Sequence, residues 1–84
     1  MRKIYAIRDN KVGTFAPPCL FENDATAIRA FGDLVIKDKE SLMHQHPEDF
    51  CLWVLGSFDR ETGLIVQSTD DIRTLANASD FIKE

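Results

Sequence analysis

The sequence predicts an α+β fold, a small and mostly antiparallel sheet of about three strands packed against one principal helix, with a short helix at the C-terminal end. Three observations predict it. Residues 50–58, FCLWVLGSF, are apolar on both alternating faces, as in a strand covered on both sides. Residues 21–40 carry one apolar stripe at helical spacing. DRETG at 59–63 then joins two extended runs as a hairpin connection. Eighty-four residues read as a single small domain, 1–84. Such a chain buries only about 60–65% of the surface its unfolded form exposes.

The first strand is KIYAIR, residues 3–8, whose β-branched and aromatic side chains stop at the turn residues Asp9, Asn10 and Gly13. Thr14 to Ala16 form a second short extended arm, ended by Pro17-Pro18, which remove ladder donors and fix φ. Asn23 or Asp24 caps the principal helix, and Ala25, Ile28, Phe31, Leu34 and Val35 make its core stripe. Gly32 weakens that helix slightly, and close packing is the expected reason for it. A single helical turn precedes Pro47.

In the long strand, Leu52, Val54, Gly56 and Phe58 face one way, while Cys51, Trp53 and Leu55 face the other. LIVQS, residues 64–68, returns beside it. The closing segment, capped by Thr69 or Asp70 with Ile72, Leu75 and Ala76 on one face, is expected to be the short C-terminal helix.

Fourteen acids against ten bases give a net charge of −4, which argues against coating phosphate backbones but leaves room for a local basic face. Met1-Arg2-Lys3 leads directly into strand-like residues, so neither a signal peptide nor a membrane span is expected. Cys19 and Cys51, far apart in such a chain, read as reduced thiols of a cytoplasmic protein.

HQHPEDFCLW, residues 44–53, gathers both histidines with Glu48, Asp49 and Cys51. His44 and His46 could share a strand face and meet zinc with one of these, but the second cysteine stands alone and no metal is expected. The better reading is a structural turn of His46, Pro47, Glu48 and Asp49, with Pro47 supplying φ near −65° at the second turn position. Glu48 and Asp49 diverge as neighbours and could not flank one bond, and Cys51 sits in an apolar strand. Gly13, Gly32, Gly56 and Gly63 stand singly, so no phosphate-cradling loop exists. The expectation is a non-enzyme without cofactor.

The remaining constellation is Arg2, Lys3, Arg8 and Lys11 around Tyr5, with Phe15 beyond. Bases interleaved with aromatics can hold single-stranded nucleic acid by phosphate attraction and stacking, whereas charges along an edge strand also guard against edge-to-edge pairing.

IYAIRD, the PP pair, DATAIRAF and HPEDFCLWVLGSFDRETG, in this order, resemble the small nonstructural protein of gokushoviruses, single-stranded DNA microviruses of bacteria. The likeness spans roughly residues 4–66, and Pro47, Glu48, Asp49, Phe50, Gly56, Phe58, Asp59 and Gly63 are its most specific part. The resemblance implies an early protein of the host cytoplasm, absent from the capsid and of a kind commonly labelled DNA-binding. Its role would lie in genome replication or in the switch to single-strand synthesis and packaging. Arg2, Lys3, Arg8, Lys11 and Arg29 would then meet phosphates while Tyr5 and Phe15 stack on bases. The alternative is a homo-oligomeric adaptor that docks, through apolar surface at Trp53 or the last helix, on a viral replication or packaging protein or a host factor and binds no DNA. No membrane partner is expected.

Overall fold

The computed structural model of the chain describes residues 2–67, 69 and 72–82. Its elements run β1 (Arg2–Asp9), β2 (Thr14–Phe15), β3 (Cys19–Phe21), α1 (Asp24–Lys37), α2 (Leu42–Gln45), a 3-10 turn (Pro47–Asp49), β4 (Phe50–Phe58), β5 (Ile65–Val66), β6 (Arg73–Asn77) and a second 3-10 turn (Ala78–Phe81). The class is α+β as expected, but the sheet has six strands where about three were read. The added strands are two to five residues long, too short to show a period of two.

The sheet is built on one antiparallel pair. β1 and β4 align from Arg2 opposite Phe58 to Asp9 opposite Phe50, with a bulge that gives β4 one extra residue, Leu55. β2 and β3 share the free edge of β1, and β5 and β6 share that of β4, all antiparallel. β4 is therefore central, which explains its apolar character on both faces.

The expected C-terminal helix is corrected. Arg73–Asn77 is a strand, with Ala76 opposite Leu52 and Asn77 opposite Cys51, and among the described residues a single 3-10 turn follows it. β5 reaches only Ser57 and Phe58, so the backbone of residues 51–54 would lack a partner on that side without β6. Tertiary pairing outweighs the weak local preference of so short a segment. The cap expected at Asp70 lies outside the described residues; Thr69 is in a turn.

α1 starts where Asn23 turns extended and its side chain accepts the Thr26 N–H at 2.8 Å. Ala27, Phe31, Gly32 and Val35 are buried on it, whereas Leu34, read as core, is 53% exposed and Ala25 is also exposed. Ala27, Phe31 and Val35 recur every four residues, so the buried stripe is narrower than the one read from the apolar positions. Gly32 is filled from outside: a Cβ there would come within 2.7 Å of the Phe81 ring, which packs edge-on against Phe31 at 5.8 Å. Tyr5, Leu52, Val54, Ala76 and Ala78 complete the core under the helix.

The helix, β1 and β6 meet at Asp24. Its carboxylate accepts the Tyr5 hydroxyl at 2.7 Å, the Lys3 ammonium at 3.4 Å and an Arg73 guanidinium N–H at 3.1 Å. The Tyr5 hydrogen bond, followed by the two cations, holds the Asp24 carboxyl below the usual carboxylate range. Burial, and then the Asp24 carboxylate, push the Tyr5 phenol far up, so it stays a donor.

Two outcomes follow for stability. Because the folded value of Asp24 is depressed, its contribution is present above the unfolded pKa of about 4 and is lost as pH falls through the folded value. Chemical denaturation of Tyr5→Phe should show a loss of about 1–2 kcal/mol at pH 7 and a smaller further loss on acidification than the parent chain; an unchanged acid limb would disprove the linkage. At Gly56, a Cβ would stand 2.5 Å from the Val66 carbonyl oxygen. Gly56→Ala is therefore expected to cost about 1–3 kcal/mol, read from the same unfolding curves.

Candidate nucleic-acid interface

The alternation of β1 divides the expected patch between two faces. Lys3 and Tyr5 point to the helix side, where both end on Asp24. Tyr5 is 0% exposed, so the expectation that it stacks on bases is corrected: its ring is core, edge-on to Phe21, and no base can reach it. Arg29 projects from the exposed side of α1, across the molecule from the open sheet face. Lys11 lies in the β1–β2 turn, beside a small hollow it shares with Asp9, Leu42, His46 and Phe50.

Arg2, Ile4, Ala6 and Arg8 take the opposite face. There the register sets Arg8 across from Phe15 on one side and Cys51 on the other, with Ala6 across from Trp53. The result is a cluster at one end of the open face. The Arg8 guanidinium carbon stands 5.0 Å from the centre of the Phe15 ring, and Phe15 meets Trp53 edge-on at 5.8 Å and 84°. The Arg8 Nε donates to Asn10 Oδ1 at 3.1 Å, which fixes the guanidinium over the ring. Trp53 is pinned too, its indole N–H donating to Cys51 Sγ at 3.1 Å. Phe15 remains 42% exposed and Trp53 half-buried.

Trp53 is the member of this cluster that was not grouped with the basic strand. Its signal was present in the alternation of residues 51–55, but its neighbour Phe15 comes from an antiparallel register that no local pattern shows. Arg2 occupies the other end of the face, about 20 Å from Arg8 at ~3.3 Å per residue of strand. It pairs there with Glu22 at 3.6 Å.

The histidine stretch forms its own corner. Asp49 N–H donates to the His46 carbonyl at 3.0 Å, closing the turn around Pro47, and Asn10 N–H donates to the Asp49 carbonyl at 2.8 Å, tying the turn to β1. His46, Glu48 and Asp49 bring one ligand atom each within 4.8 Å of one another, two of them on exposed side chains. His44 is directed elsewhere, its Nδ1 lying 2.9 Å from the Val35 carbonyl. Cys51 is buried on the open-face side of β4. The two histidines and the thiol therefore do not converge. No described helix is long and apolar enough to cross a membrane.

The chain matches the family described as Phage ORF5 protein over residues 2–81. Protein ORF5 of Chlamydia phage 1 is 35% identical to it over 81 residues, which cover 92% of this chain and 83% of the relative. No solved structure matches. The chain belongs to the Phage ORF5 protein family, the bacteriophage family to which its gokushovirus-like motifs pointed.

Proposed function

We propose that this chain is a non-enzymatic phage early protein that binds single-stranded DNA in the host cytoplasm. It would act there in viral genome replication or in the switch to single-strand synthesis and packaging. One observation carries the reading: Arg8, Phe15 and Trp53 form a pre-positioned group of a cation and two aromatic surfaces on an open sheet face. Bases of a single strand stack on aromatic rings and on guanidinium planes, each contributing about 1–3 kcal/mol, while the same guanidinium meets phosphate. A duplex, whose bases are already stacked, offers no such surface. Arg8 and Lys11 supply the phosphate contacts at this end of the molecule. The net charge of −4 keeps the attraction local and the affinity modest.

A second reading, a module that docks on a viral replication protein or host factor without touching DNA, is favoured by the exposed apolar residues Leu64, Ile65 and Val66 beside the same face.

A titration with labelled single-stranded DNA separates the two. With two phosphates neutralised and a slope of about −0.7 per contact, affinity is expected to fall about sevenfold between 50 and 200 mM salt. Arg8→Glu is expected to abolish the shift while the protein stays folded, and Phe15→Ala to weaken it by about fivefold or more, at ~1 kcal/mol of lost stacking. Absence of binding at ~100 µM protein, or undiminished binding by folded Arg8→Glu, would refute the DNA reading in favour of the docking module.

A further inference from the structure

The end of the open face that holds Arg2 differs from the Arg8 end. Ile4 lies opposite Leu20 and Gly56, and Phe58 lies opposite Arg2 and Ile65, so the register puts Ile4, Leu20, Phe58 and Ile65 on one surface. With Pro18 they line a shallow groove that is almost wholly apolar. Leu20 is 41% and Ile65 69% exposed. A three-residue apolar run, Leu64 to Val66, also forms the outer margin of the sheet, where exposed backbone and apolar side chains together invite association.

We propose that a second copy of this chain docks on that groove to form a two-fold dimer. This goes beyond the DNA reading, and only the third feature below rests on it. Three features select a second copy over an unrelated partner. First, an isologous interface must be complementary to itself. The groove is bordered by one charge of each sign, Arg2 and Glu22, 3.6 Å apart, so a two-fold turn can exchange partners between copies without leaving like charges opposed. Second, the chain spans 44 by 23 Å in its two longer dimensions. A dimer that covered half of such a face would bury about 500 Å² per copy, or ~1,000 Å² in total, the size of a weak and reversible interface, so the dimer is expected to form only at micromolar concentrations or above. Third, the groove's β1 residue, Ile4, lies about 13 Å along the strand from Arg8. Pairing through it leaves both Arg8–Phe15–Trp53 clusters uncovered, and two modest sites would then act on one strand with the gain in avidity that linkage gives.

Sedimentation equilibrium of the full chain from ~10 to ~500 µM is the test, across a range that brackets the expected micromolar dissociation. The parent should pass from monomer to dimer within it. Leu20→Glu and Ile65→Glu should each shift the transition upward by at least tenfold in concentration while circular dichroism shows the native fold. Ile65, on a two-residue strand, carries the test if Leu20→Glu unfolds. Glu22→Arg should weaken the dimer, and the double change Arg2→Glu with Glu22→Arg should restore it. Arg8→Glu, at the other end, should leave the mass unchanged whatever it does to DNA binding. A monomer throughout the range, or a dimer indifferent to both Leu20→Glu and Ile65→Glu, would overturn the proposal.

Discussion

The carboxylate of Asp24 is where three separate stretches of chain become one structure. It opens α1, takes the hydroxyl of β1's buried Tyr5 and draws in Arg73 from β6, 49 residues away in sequence. The helix N-terminus favours a negative charge at this position, so the same acid serves the helix, the core hydroxyl and the last strand. Removing the charge would leave the buried Tyr5 hydroxyl without its acceptor, and β6 would lose the Arg73 tie to the start of the helix.

This arrangement has a consequence for function. By taking Tyr5 and Lys3 to the helix side, it commits the alternate residues of β1, including Arg8, to the other face. The open face then receives Phe15 from β2 and Trp53 from β4 through antiparallel register alone. A shift of β1 by one residue would bury arginine and expose tyrosine, a change that the core could not tolerate. β1 is thus a core strand paired along both edges, so its charges do not guard a free edge, and the proposed binding cluster lies on its open face alone.

Much of this was legible in the sequence, and the failures have particular causes. The helix at 24–37 and the strand at 50–58 announce themselves because each repeats its period several times. The Pro47 turn is written in local chemistry, and Gly32 was rightly tied to close packing, although its occupant, Phe81, lies 49 residues away. The C-terminal strand was read as a helix because Ile72, Leu75 and Ala76 fit a helical face, while the unfilled edge of β4 that captures them is not a local property. Arg8 and Phe15 meet on the open face, but Tyr5, equally aromatic and equally flanked by bases, belongs to the core. Only the position of the helix decides which parity of the strand is buried.

The most direct test of the account is a two-dimensional NMR titration of isotope-labelled protein with a short single strand of DNA. The account predicts shifts concentrated at Arg8, Phe15, the Trp53 indole N–H and Thr74 across from it, with Lys3, Tyr5 and Arg29 unmoved. Shifts centred on Arg29 and the exposed side of α1, with the Trp53 indole unaffected, would contradict it.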